Sequence, residues 1–340
     1  MKLIIQIPCY NEEKTLAETF ADLPRKIEGI DEIEYLIIND GSSDKTVEVA
    51  KKLGFHHIVS FKQNKGLAKG FMAGIDACLH LGADIIVNTD ADNQYCGADI
   101  EKLVKPILDG KADIIIGERP INETAHFSWQ KKKLQRIGSW VVRLASNTKI
   151  PDAPSGFRAY SREAALRLNV INDYTYTLET IIQAGHNKMA IMSVPVRTNP
   201  ETRKSRLFKS MWGYIKRSAL VIIRSFMMYK PLRFFGAMGS IIIAIGLIFA
   251  IRFFIGFFMG HGDIYVKSLI FSVLMILLGT QTIISGLQAD IISANRKLLE
   301  DIQYRMRKLD YELLKDNKIS LTADIADKEA AAAKDGLWRD

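Results

Sequence analysis

Asp84-Ile85-Ile86-Val87-Asn88-Thr89-Asp90-Ala91-Asp92 is a compact, β-branched run that ends in two carboxylates. Its apolar character is that of a strand buried on both faces. Side chains alternate along an extended chain, so Asp90 and Asp92 can point to the same side. Two close carboxylates repel each other unless a cation sits between them. Oxygen donors of this kind suit Mg²⁺ or Mn²⁺, and such ions bridge the oxygens of a diphosphate. Gln94, two residues further on, can add a neutral oxygen. An Asp-x-Asp triplet alone is common in loops. Its place at the end of a buried strand makes it a candidate site.

The same pattern repeats on either side. Leu3–Ile7, Tyr35–Ile38, Ile58–Val59, Ile85–Val87 and Ile114–Ile116 read as strands, each a short apolar run. Glu12–Phe20, Asp44–Leu53, Leu67–Leu81 and Asp99–Leu108 read as helices. The alternation predicts an α/β fold with a mostly parallel sheet and helices on both faces. Ligands of such sheets bind at the carboxyl ends of the strands. Pro8 to Glu12, Asn39 to Asp44 and Asp90 to Gln94 all fall there.

Each of these ends carries chemistry. After the first strand, Tyr10 can pack on a base and Glu12 can take ribose hydroxyls, while Asn11 also reads as a helix cap. Asp40 is placed to accept from a ligand N–H, such as the imide of a uracil or the edge of a guanine, with Ser43 or Asp44 capping the next helix. Gly66, Gly70 and Gly74 follow Asn64-Lys65 and are a weak phosphate-cradle signal; close helix packing reads better for Gly70 and Gly74. Asp152-Ala153-Pro154-Ser155-Gly156-Phe157-Arg158 fits a loop that presents Asp152 to an incoming acceptor, and reads equally as an ordinary surface turn. Arg119, Arg136, Arg203 and Arg206 are candidate phosphate partners, because a guanidinium matches phosphate geometry. The six histidines form no ligand pattern.

The C-terminal third changes character. Over 198–231 apolar residues recur at roughly helical spacing among Lys209, Lys216, Arg217 and Arg224, which reads as amphipathic helix at a membrane interface or against the preceding domain. Phe234–Ile251 with Phe253–Met259, and then Ser268–Leu287, are each long enough to span a hydrocarbon core. The short link predicts a hairpin. Lys230, Arg233, Arg296 and Lys297 flank its outer ends, which places both termini in the cytosol. Arg252 either snorkels to the far interface or packs at a helix contact. Asn295–Leu314 carries Leu298, Leu299, Ile302, Met306, Leu309 and Leu313; it can pack on the first domain or pair with a second copy. The chain thus divides into a catalytic domain over 1–200, juxtamembrane helices over 201–232, two transmembrane helices over 233–290 and a cytosolic helix and tail over 291–340.

Bulk properties agree. With 340 residues the chain is long enough for a large core and an appendage. Its net charge of +8 is crowded over 203–233, beside the apolar spans, which favours a membrane over a nucleic acid. The three cysteines lack metal-ligand spacing and predict a reducing compartment. The N-terminal apolar run is too short for a signal peptide, so the first domain is expected in the cytosol.

Pro8-Cys9-Tyr10-Asn11-Glu12-Glu13, Asn39-Asp40-Gly41-Ser42-Ser43-Asp44, Asn64-Lys65-Gly66 and Asp90-Ala91-Asp92 together resemble the family 2 glycosyltransferases of the GT-A fold. With Ser155-Gly156-Phe157-Arg158 and the hairpin, the chain looks like the polyprenyl-phosphate glycosyltransferases, over about residues 1–290. The resemblance implies inverting, metal-dependent transfer of a sugar from a UDP- or GDP-sugar to undecaprenyl or dolichyl phosphate at the cytosolic membrane face. It implies that Pro8, Tyr10, Asn11, Glu12, Asp40, Lys65, Asp90 and Ala91 hold the nucleotide, and that Asp90, Asp92 and Gln94 hold the metal. It matches Asp152 to the acid proposed as base, with Asp92 and Arg119 beside it in catalysis. Arg136, Ser155, Arg158, Arg203, Ser205 and Arg206 fall to the acceptor phosphate. Ile116-Gly117-Glu118-Arg119 departs from the family, many of whose members carry Ser before the Arg.

Two rivals share parts of this pattern. A processive polysaccharide synthase would need a Gln-x-x-Arg-Trp motif and more spans, and a catalytically dead nucleotide-sensing scaffold would not need the intact Asp pair.

Overall fold

Leu3, Ile4, Ile5 and Ile7 are excluded from solvent, and Ile85, Ile86 and Val87 are hydrogen-bonded alongside them. β-Branched side chains stacked on both faces of a strand require cover on both sides, and this pair forms the middle of the sheet. The computed structural model describes residues 1–120, 143, 146, 148, 150–171, 176–200, 220, 223–224, 227, 229–260 and 262–317. Two compact units emerge, Met1–Ile222 with Ile302–Asp340, and Ile223–Asp301.

The first unit contains strands β1 (Lys2–Cys9), β2 (Glu32–Asn39), β3 (His57–Ser60), β4 (Ile85–Asn88), β5 (Ile114–Glu118), β6 (Arg158–Ser161) and β7 (Ile191–Pro195). Their order is β3-β2-β1-β4-β6-β5-β7. All pairs are parallel except those that β6 makes with β4 and β5. Helices α1 (Leu16–Asp22), α2 (Thr46–Leu53), α3 (Leu67–His80), α4 (Ile100–Leu108), α5 (Arg162–Arg167) and α6 (Thr177–His186) join them. The chain winds outward from β1 to β3 and then returns across β1 to β4. That reversal leaves a crevice at the carboxyl ends of β1 and β4.

The strands expected from sequence fall within β1 to β5, and the expected helices overlap α1 to α4. The first helix starts later than expected, because Glu12 O accepts from both Thr15 N and Leu16 N and closes a turn ahead of it. The sequence reading named neither β6 nor β7. β6 reads Arg-Ala-Tyr-Ser, with no apolar run, and β7 is a half-exposed edge strand.

The second unit holds α7 (Pro231–Phe258) and the start of α8 (Gly262–Asn317). Both helices are long and apolar enough to cross a membrane, with mean hydropathy 2.6 and 1.9 in their most apolar windows. Pro231 opens α7, where its missing N–H costs nothing. A Cβ on Gly239 would lie 2.7 Å from Gly279 O, so the two helices approach through small residues. Arg252 stands 5.5 Å over the Tyr265 ring of the neighbouring helix, a helix contact of the kind expected for it.

Gly74 sets the distance between α3 and the sheet. A Cβ there would stand 2.3 Å from Gln6 Oε1 and 2.8 Å from Ile38 Cδ1. Gly74→Val should therefore destabilise the fold by about 1–3 kcal/mol, the usual cost of overpacking, seen as a lower melting temperature. An unchanged melting temperature would show that α3 shifts without strain.

Candidate active site

Polar residues inside the two central strands build the floor of the crevice. Gln6 and Asn88 are fully buried, and Gln6 Nε2 donates to Asn88 Oδ1 at 3.0 Å. Asn88 Nδ2 donates to the Tyr176 hydroxyl at 2.8 Å and to Gly156 O at 3.0 Å. Tyr176 also donates to Gly156 O, and Tyr95, stacked 4.8 Å from Phe157, accepts from Gly156 N at 3.2 Å. Both polar groups of the Gly156 backbone are thereby held. A Cβ on Gly156 would lie 3.0 Å from the Tyr176 hydroxyl and 3.3 Å from each Asp90 carboxylate oxygen. Glycine leaves this backbone room beside Asp90, and a Cβ would press on both groups.

Asp90 and Asp92 are half-buried at the end of β4, with Ala91 buried between them. Ala91 O accepts from Thr19 at 3.0 Å, and Asp92 Oδ1 accepts from Gln94 N at 3.3 Å. Asn199 fastens the following turn, donating Nδ2 to Asn93 O, while its backbone N–H donates to Gln94 O. Beside it Arg197 donates to the buried Asp99 from Nε and Nη2. Burial opposes ionisation of Asp99, but hydrogen bonds from Arg197 and Lys102 prevail and bring its carboxyl down to about 2.

Asp152 is fully buried and engages Arg119 in two parallel hydrogen bonds, from Nε at 2.8 Å and Nη2 at 2.9 Å. Arg119 N donates to the same carboxylate. Burial disfavours the Arg119 charge; Tyr95, Asp152 and Asp90 outweigh it and raise the pKa. Burial raises the Tyr95 phenol, so it stays neutral and acts as a hydrogen-bonding group. Asp90, Asp152, Arg119 and Tyr95 thus form one electrostatic cluster.

The remaining sequence-selected residues divide. Tyr10 is exposed at the mouth. Asn11 adopts a positive φ of 57° and accepts from Ser43 N through Oδ1, which ties the β1 end to the β2 end. Glu12 is buried, and its carboxylate accepts from the Thr15 hydroxyl. Asp40 is 6% exposed, and its two oxygens accept from Lys65 N at 2.7 Å and Gly66 N at 3.0 Å. It anchors the segment before α3. Asp44 accepts from Thr46 N and so caps α2. Lys65 is exposed, with Nζ 4.6 Å over the Phe61 ring. Pro8 is the last residue but one of β1, in register with Ile38.

Ser155 and Arg158 lie inside rather than at the surface. Arg158 is fully buried and donates to Ser155 O, Ala153 O and the Thr180 hydroxyl at 2.6–2.8 Å. It shapes the loop that carries Asp152 and Gly156. Arg136, Arg203, Ser205 and Arg206 lie outside the described residues. Sequence reading missed Gln6, Asn88, Tyr95 and Tyr176. The first two had a signal, an amide inside an otherwise apolar strand; the tyrosines had none.

The site is thus a pair of half-buried carboxylates at the reversal point of a mostly parallel sheet. The glycosyl transferase family 2 profile matches residues 4–168. A UDP-N-acetylglucosamine–dolichyl-phosphate N-acetylglucosaminyltransferase of Methanococcus voltae is 31% identical over 56% of this chain and 83% of its own. An undecaprenyl-phosphate 4-deoxy-4-formamido-L-arabinose transferase of Sodalis glossinidius is 26% identical over 90% of this chain and 92% of its own. In fold, the chain resembles glucosyl-3-phosphoglycerate synthase of Mycobacterium tuberculosis, solved with Mn²⁺ and UDP, at TM-score 0.51 and 17% identity, covering 66% of this chain and 78% of that one. This chain belongs to glycosyl transferase family 2 and is a glycosyltransferase.

Removing one partner of a buried ion pair leaves the other charge uncompensated. Asp152→Asn and Arg119→Ala should each lower stability by about 3–5 kcal/mol, and the double variant by less than their sum. Denaturant unfolding of the four-member cycle checks this. Additive effects would show that the pair is not coupled.

Proposed function

We propose that the chain transfers a sugar from a nucleoside diphosphate sugar to a polyprenyl phosphate at the cytosolic face of a membrane, with inversion at the anomeric carbon. The observation that carries the reading is a family 2 domain followed in one chain by two helices apolar enough to span a bilayer. The names of the relatives, which specify dolichyl or undecaprenyl phosphate, support the acceptor class. Lys230 just before α7 and Arg233 in its first turn, with Arg296 and Lys297 far along α8, support the orientation.

Asp90 and Asp92 fit a divalent cation: they are hard oxygen donors, partly open, at the end of one strand. They would hold Mg²⁺ or Mn²⁺, with Gln94 adjoining. When bound, the cation neutralises charge on the departing nucleoside diphosphate. Asp40 contributes by fixing the backbone around Lys65 and Gly66, which lines the nucleotide side with Pro8, Tyr10, Asn11 and Glu12. An oxygen of the acceptor phosphate attacks the anomeric carbon as the bond to the nucleoside diphosphate breaks. A phosphate monoester is largely a dianion at neutral pH, since its second pKa is about 6. It needs little help from a base. Asp152, already engaged by Arg119, is therefore assigned to hold that guanidinium toward the anionic reactants.

The test uses the full chain with UDP- and GDP-sugars, undecaprenyl or dolichyl phosphate, and Mg²⁺ or Mn²⁺, the lipid product being identified by mass. One pairing should yield a glycosylated lipid phosphate, and chelation should stop it. Asp92→Ala should abolish transfer and leave the melting temperature near that of the parent. Full transfer by Asp92→Ala would sink the metal assignment; a water-soluble sugar product alone would sink the acceptor.

A further inference from the structure

The segment of α8 from Ile302 onward belongs to the first unit and has two different faces. One is docked. Arg307 pairs with Asp76 of α3 at 2.9 Å and donates to Leu168 O. Tyr304 donates to Glu163 of α5 and lies 4.0 Å beneath the Arg167 guanidinium. Arg162 stands 4.5 Å over the Tyr311 ring. Residues 304, 307 and 311 share one side of a helix that turns about 100° per residue.

The opposite side is apolar and bare. Leu299, Ile302, Met306, Leu309 and Leu313 recur at alternating intervals of three and four residues, and each is 50–66% exposed. Alternating three-and-four spacing is the seam of a left-handed coiled coil, not the broader stripe that a helix buries in its own domain. The domain already occupies the other face, so it cannot cover this one. Charges beside the stripe discriminate among partners. With Leu299, Met306 and Leu313 in one core position and Ile302 and Leu309 in the other, Arg305 and Asp310 occupy the flanking positions that meet between parallel identical helices. They are opposite in sign. Copies inserted in one membrane with one topology are parallel by necessity, and confinement to the bilayer raises their effective concentration. Such confinement lets a seam of about two heptads suffice, where free helices of that length are marginal.

We propose that the Leu299–Leu313 face of α8 packs in parallel against the same face of a second copy of this chain, so that the enzyme works as a homo-oligomer joined back to back. The inference rests on reading α7 and α8 as membrane-spanning.

The experiment uses the full chain in native membranes on a Cys96→Ser background, Cys9 and Cys78 being buried. Under mild oxidation Leu309→Cys should form a disulfide between copies, and Lys308→Cys, off the seam, should not. Arg305→Asp should reduce the Leu309→Cys product by setting like charges together. Adding Asp310→Arg in the same chain should restore it. A chain that stays monomeric with Leu309→Cys, links equally through Lys308→Cys, or is not rescued by the second charge change overturns the seam. Alkaline extraction of the same membranes separates the two readings. A chain that stays in the pellet without forming the disulfide defeats the seam alone. A chain that washes off yet links through Leu309→Cys defeats only the membrane reading.

Discussion

A line of amides and hydroxyls crosses the apolar centre of the sheet, from Gln6 through Asn88 to Tyr176, and ends on the backbone of Gly156 beside Asp90. Buried polar groups are costly when unpaired, and in a low dielectric each satisfied bond is strong and directional. The network therefore admits few alternative arrangements. It ties β1, β4, α6 and the loop before β6 together at one point. The half-buried Asp90 stands on that point, and its position follows from groups that need not touch a ligand at all. Arg158 extends the constraint from below, since its guanidinium, buried among neutral acceptors, fixes the loop on which both Gly156 and Asp152 sit.

Carboxylates look alike in sequence and separate in the fold. Asp40, Asp99 and Asp152 are buried, and each is met by backbone N–H groups or a guanidinium. A buried charge requires such partners, so these acids hold loops and an arginine in place. Asp90 and Asp92 keep part of their surface open, as the proposed cation site requires. In the proposed reading Asp152 orients Arg119 rather than accepting a proton, since a phosphate dianion would need little help from a base.

The C-terminal helix shows the same logic on a surface. Its apolar residues were visible as a periodic stripe, and either a domain or a second copy could have covered them. The aromatic and arginine side chains Tyr304, Arg307 and Tyr311 dock the helix on α3 and α5, while the leucine stripe faces away. Hydrophobicity alone would have put the leucines inward. Ring faces over guanidiniums and a partly exposed Arg307–Asp76 pair provide the inward contact instead.

From the sequence alone came the alternating α/β pattern, the strands β1 to β5, the acidic pair Asp90 and Asp92 and the two apolar helices. These are local properties: period, apolar run length and the residue that ends a strand are all written in neighbouring positions. Only the tertiary structure placed β6 antiparallel beside β4, buried Arg158, closed the Gln6–Asn88–Tyr176 network and joined Arg119 to Asp152. Those pairings link residues that are 20 to nearly 90 positions apart, or, for the two halves of an ion pair, separated by 33. No local signal marks which distant partner will satisfy a buried polar group; burial creates the demand, and the path of the chain decides what meets it.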